Sequence, residues 1–162
     1  MDRELNELAA LAATLLKQRG ETIAVCESAA GGLISSALLS VPGASAYYLG
    51  GTVVYTLAAS KALLAGAVET PKGLRGATEE FARYQAQAIR GRLGTTWGTG
   101  ETGATGPTPN RYGDPNGHSW VAVEGPVTRT RHVLTGSDDR EANLTAFARA
   151  GLEELIAALQ SA

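Results

Sequence analysis

Four side chains lying close together in the sequence could assemble a hydroxyl nucleophile, a base and an anion cradle: Ser28, Ser45, Tyr55 and Lys61. A serine hydroxyl is a poor nucleophile until a neighbour takes its proton. A lysine can serve when burial or nearby positive charge lowers its pKa. Lys61 is flanked by Ala58, Ala59, Ala62, Leu63 and Leu64, an apolar setting for an ammonium. The same sequence also fits a lysine whose stem covers apolar surface while its head reaches solvent. Tyr55 could hydrogen-bond to either partner or be a half-buried aromatic. Ser28 stands three residues before Gly31-Gly32, either as a helix N-cap or as part of a cradle of backbone N–H groups for phosphate or an oxyanion. Ser45 follows Pro42-Gly43-Ala44 in a tight loop, and Glu27 could orient a lysine, meet a ribose hydroxyl or cap a helix.

Other chemistries lack their patterns. His118 and His132 have no zinc-type spacing, so no metal is expected and both histidines read as structural or exposed. There is no Gly-x-Ser-x-Gly elbow and no P-loop. Gly98-Thr99-Gly100-Glu101-Thr102-Gly103 matches a dinucleotide fingerprint by spacing, but it leads into a Pro-rich loop and not into a helix. Cys26, in the apolar run Thr22–Cys26, reads as a buried strand residue. As a nucleophile it would need Glu27 beside it, and neighbours in a strand point to opposite faces.

These residues need a scaffold, and the periodicity supplies one. Leu5, Leu8, Leu11, Leu15 and Leu16 predict a helix ending near Gly20. Thr22–Cys26 predicts a buried strand, and Ser28 the cap of a second helix that stops at Pro42-Gly43. Tyr47–Thr56 predicts a strand interrupted at Gly50-Gly51, followed by helices over Ala58–Leu64 and Thr78–Leu93. Thr95–Thr99 predicts a strand, with a loop from Gly100 to Gly117. His118–Val123 and Val127–Leu134 predict a hairpin turned at Glu124-Gly125-Pro126. Asp138 or Asp139 caps a last helix to about Leu159. Helices alternating with strands, then a hairpin, predict an α/β layered sandwich with a mixed sheet, one domain over residues 1–162.

With these motifs in order, the chain resembles the CinA C-terminal domain family, which includes stand-alone nicotinamide mononucleotide deamidases. The family pattern of Glu-Ser-Cys-Thr-Gly-Gly, Pro-Gly-Ala/Ser-Ser, Gly-Gly, Tyr-Ser/Thr and a lysine appears as Glu27–Gly32, Pro42–Ser45, Gly50-Gly51, Tyr55-Thr56 and Lys61. Its Thr-Gly-Ile-Ala-Gly-Pro appears as Thr102–Pro107, and Asp139-Arg140 precedes the last helix. The resemblance implies hydrolysis of the carboxamide of nicotinamide mononucleotide to nicotinic acid mononucleotide and ammonia, without a cofactor. It implies Ser45 as nucleophile, Lys61 as base and Tyr55 in support. Ser28, Gly31, Gly32, Thr102 and Arg140 would bind substrate or its phosphate. The chain departs from the pattern at Ala29-Ala30, where the family has Cys-Thr, and in the loop Thr108–Gly117, where Arg111 is either a cation near the pocket or a solvated loop residue. A non-catalytic nucleotide-binding module of the same fold is the alternative.

Composition narrows the partners. Apolar residues make up 44% of the 162 and charged residues 19%, a globular balance. The net charge of −2, with no basic stripe, argues against nucleic acid. The opening Met-Asp-Arg-Glu-Leu is not a signal peptide, and no apolar run reaches the roughly 20 residues that span a bilayer. The expectation from composition is a cytoplasmic protein; the resemblance adds a small mononucleotide as substrate, and a homo-oligomer, a dimer in the first instance, is the expected assembly.

Overall fold

Helix ends and apolar spacing set the frame of the computed structural model, which describes residues 2–162. The first helix, α1 (Arg3–Arg19), begins where the Asp2 carboxylate accepts from the N–H groups of Glu4 and Leu5. It ends at Gly20 in the left-handed conformation, and Leu5, Ala9, Ala12 and Leu16 form its buried face. The five-stranded sheet centres on β1 (Ile23–Glu27), buried along its whole length, and β3 (Trp97–Ala104). β2 (Tyr48–Val53) and β3 flank β1 in parallel. β4 (His118–Glu124) and β5 (Thr128–Leu134) add an antiparallel hairpin, giving the order β2-β1-β3-β4-β5.

One face of the sheet is covered by α1, α2 (Leu33–Leu39) and α5 (Arg140–Ser161), the other by α3 (Leu57–Leu64) and α4 (Glu79–Leu93). The alternation of β1 follows: Ile23 and Val25 join the first core, Ala24 and Cys26 the second. This is the layered α/β sandwich on a mixed sheet that the sequence predicts.

Three local readings are corrected. The strand expected to end at Thr99 runs to Ala104. Its glycines lower strand propensity but let α4 lie directly on the sheet. A Cβ on Gly100 would stand 2.0 Å from Ala82 O, and one on Gly98 would stand 2.2 Å from Ala86 O. The Gly-x-Gly-x-x-Gly spacing is therefore a packing feature inside a strand. Second, Gly50-Gly51 does not interrupt β2, which passes through both residues with a register shift beside Ile23 and Ala24. Third, α2 starts at Leu33 and not at Ser28; Gly32 is its N-cap, and the buried Glu27 carboxylate satisfies its first N–H groups.

The α4 contact gives a direct prediction. Gly100→Ala forces the helix away from the sheet and is expected to cost on the order of 3 kcal/mol. Urea unfolding measures it; an unchanged midpoint would mean that α4 does not bear on Gly100.

Candidate functional site at the carboxyl edge of the parallel strands

Ligands of open α/β sheets sit outside the carboxyl ends of parallel strands, where loops leave the scaffold. Here β1, β2 and β3 deliver Ser28, Val54-Tyr55 and Thr102-Gly103 to one cavity of about 320 Å³. The turn before α4 closes its floor with Gly76 and Ala77, and the loop Asn110–Tyr112 forms its rim.

Each wall has a cause. Ser28 lies in a turn held from below by two buried acids. Glu101 Oε2 accepts from Ser28 N at 3.1 Å and Ala30 N at 2.7 Å, and Ser119 Oγ lies 2.7 Å from Glu101 Oε1. Glu27 accepts from Gly32 N, Ile34 N and Ser35 N, and from the Ser35 hydroxyl at 2.6 Å. Both acids are fully buried. Burial pushes Glu27 up from the ordinary carboxylate range and Glu101 up to about 7; accepted hydrogen bonds oppose the rise in both.

The floor is held as firmly. Ala77 has φ of 57°, a left-handed backbone that costs a residue with a Cβ on the order of 1 kcal/mol or more. Its N–H donates to Thr102 Oγ1 at 2.9 Å, and its carbonyl accepts from His118 Nε2 at 2.8 Å. The Nδ1 of His118 lies 2.7 Å from His132 Nε2, within hydrogen-bond distance. The two histidines are thus structural partners. Among the described residues no group of three or more His, Cys, Asp or Glu could hold a metal ion. Cys26 is buried in β1, and desolvation pushes its thiol up to about 12, which leaves it unreactive.

Of the residues singled out from the sequence, Ser28, Tyr55, Thr102 and Arg111 line the cavity. Arg140, the first residue of α5, joins them indirectly: Nη2 donates to Tyr55 OH at 3.0 Å and Nη1 to Gly106 O at 2.8 Å. Tyr55 is 63% exposed, so this bond from Arg140 is what fixes its ring over the opening. The N–H groups of Gly31 and Gly32 are already donated, to Ser28 O and Glu27 Oε2, so the chain's own acceptors fill the cradle expected there. Ser45 and Lys61 stand apart. Ser45 lies in a single 3-10 turn (Ala44–Ala46) before β2, beside Pro42, whose carbonyl accepts from Lys17. Tyr55 and Lys61 follow the other end of that strand, about 17 Å of chain away. The apolar enclosure expected for Lys61 is not supplied by its own chain: the side chain is exposed, and among the described residues neither it nor Ser45 makes a side-chain hydrogen bond.

Sequence reasoning missed Glu101. Its signal was an acid among glycines in what proves to be a strand, on the same face as Trp97 and Thr99. It also missed the loop network Arg75–Asp114–Asn110, in which Arg75 comes from 39 residues before Asp114.

An open mixed sheet with a cavity at its carboxyl edge defines the chain as an α/β protein of the open-sheet class. Comparison with known proteins gives the family. The CinA C-terminal domain model matches residues 5–159, and the chain belongs to the CinA family. A CinA-like protein of Salinibacter ruber is 40% identical over 148 residues, 91% of this chain and 36% of that protein. A CinA-like protein of Gloeobacter violaceus is 38% identical over 132 residues, 80% of this chain and 31% of that protein. The chain thus spans about a third of the length of these curated relatives. Among solved structures, the competence/damage inducible protein CihA of Agrobacterium tumefaciens superposes with a TM-score of 0.88 at 27% identity, covering 99% of this chain and 98% of that one. A CinA superfamily protein of Enterobacter cloacae gives 0.87 at 26%, covering 96% and 92%. No helix among the described residues is long and apolar enough to cross a membrane.

Proposed function

We propose that the chain is an amidohydrolase that converts nicotinamide mononucleotide to nicotinic acid mononucleotide and ammonia. The observation that supports this most is the cavity in which Ser28, Thr102 and the Arg140-held Tyr55 converge. In this reading Lys61 takes the proton of Ser45, and Ser45 Oγ attacks the carboxamide carbon. Ammonia leaves with a proton returned by Lys61, and water hydrolyses the acyl-enzyme. Hydroxyls of Tyr55, Ser28 and Thr102 orient the amide, and no cofactor takes part.

Because Ser45 and Tyr55 stand at opposite ends of β2, the reading calls for a second copy. β2 is an edge strand, and its Leu49 and Val53 are exposed. Two such edges paired antiparallel about a two-fold axis would set the residues before the strand in one copy beside those after it in the other. Ser45 would then approach the partner's Tyr55 and Lys61. A cytoplasmic homodimer with residues 1–162 as one domain is the corresponding assembly.

A second reading, a nucleotide-binding module without turnover, is favoured by the exposure of Lys61 and by Ala29-Ala30. Ammonia release from the purified protein, run beside calorimetric titration with nicotinic acid mononucleotide, separates the two. Release at an ordinary enzyme rate, about 1 s⁻¹ or faster, is expected. Binding without release would replace the amidase with the binding module.

A further inference from the structure

Arg111 is the one charged side chain that lines the cavity among the described residues, and no Asp or Glu lines it. Arg111 belongs to none of the ion pairs among those residues. Its position is nevertheless fixed. Nη2 donates to Tyr112 OH at 2.8 Å, and the guanidinium carbon lies 4.9 Å from the centre of the Tyr112 ring. Arg75 holds the same ring, at 4.5 Å. Arg75 in turn donates both Nη groups to Asp114, at 2.7 and 3.3 Å. Asn110 ties the loop by donating to Asp114 Oδ2 and accepting from the N–H groups of Tyr112 and Asp114.

Three arginines, Arg75, Arg140 and Arg111, differ in what they offer. Arg75 is neutralised by Asp114. Arg140 gives one Nη to a carbonyl and the other to Tyr55 OH, which makes it the brace of that ring. Arg111 spends one of five N–H donors and presents the others, with an uncompensated charge, at the cavity rim. A guanidinium so placed suits a tetrahedral phosphate monoester, which accepts two of its N–H groups at once.

We infer that Arg111, carried on the Asn110–Asp114 loop and braced by Tyr112, receives the phosphate of the ligand and makes the cavity select phosphorylated over unphosphorylated nucleosides. The inference rests on the proposed mononucleotide reading for the rest of the ligand, but not for the phosphate itself.

The experiment is calorimetric titration of two compound pairs: ribose 5-phosphate against ribose, and nicotinic acid mononucleotide against its riboside. The wild type is expected to prefer the phosphorylated member by about tenfold to a hundredfold, the size of one or two charge-assisted hydrogen bonds. Arg111→Gln should bring the preference close to one and leave affinity for the unphosphorylated member unchanged, with Arg111→Lys in between. Its thermal midpoint should match the wild type, since the side chain is exposed. Four results overturn the inference: no preference in the wild type, a preference that survives Arg111→Gln, equal weakening of both members, or a preference lost only in Arg140→Gln. If the ribose pair follows Arg111 but the pyridine adds no affinity, Arg111 keeps its role and the nicotinamide substrate is wrong. If the pyridine adds affinity and the phosphate preference ignores Arg111, the reverse holds.

Discussion

Glu101→Gln is expected to stabilise the protein above neutral pH, and Glu101→Ala to destabilise it at every pH. The carboxyl is fully buried, and burial lifts it from 4.5 to about 7. The folded chain therefore binds this proton more readily than the unfolded chain. Stability from this group is fully present below about pH 4.5 and is lost as pH rises through about 7. At about 1.4 kcal/mol per pH unit, the loss is on the order of 3 kcal/mol. Glu27 is raised too and adds a slope of the same sign. Glutamine removes the buried charge but keeps the contacts. Its carbonyl can accept from Ser28 N and Ala30 N, and its amide can donate to Ser119 Oγ, whose hydroxyl turns to Thr102 O at 3.0 Å. Alanine leaves both N–H groups without their acceptor, at about 1–3 kcal/mol each. Urea unfolding of the three proteins at pH 5 and pH 8 tests this. A wild type whose stability does not fall between those values, or a glutamine variant with the same slope as wild type, would show that Glu101 is ionised throughout.

The second large effect concerns turnover. Ser45→Ala and Lys61→Ala are each expected to lower ammonia release by about a thousandfold or more. If Ser45 and Lys61 act from different copies, mixing the two dead variants under conditions of subunit exchange should restore about a quarter of wild-type activity, because half of the dimers then pair one of each and carry one intact site. A mixture that stays dead removes the shared site. Ser45→Ala with full activity, together with a dead Ser28→Ala, would move the nucleophile to the serine that already lines the cavity.

The helices were legible from their apolar periods, and Asp139, one of the two caps expected for α5, accepts from Ala142 N; the cap expected at Ser28 is not one, since α2 begins after Gly32. The sheet was legible at β1, β4 and β5, where apolar or β-branched residues dominate. At β3 only the first residues, up to Thr99, were legible. There glycines serve the close approach of α4, a contact between segments that are neighbours in space only. The cavity was half legible. Ser28, Tyr55 and Thr102 announced themselves by type and motif, and Arg140 was found with a different duty. Ser45 and Lys61 were grouped by proximity in sequence, yet a strand separates their surroundings. Glu101 escaped because its meaning depends on burial, which no local pattern carried.

One consequence of the two interior acids bears on how this turn tolerates change. Glu27 and Glu101 grip the chain through main-chain N–H groups at Ser28, Ala30, Gly32 and Ile34. Every amino acid except proline supplies that donor. The substitutions at Ala29-Ala30 therefore leave the anchors untouched, and the path of the turn is encoded in residues that do not belong to it. Both alanine side chains are buried in the first core and neither lines the cavity, so what limits change at the tip is packing against that core and not the anchoring of the backbone.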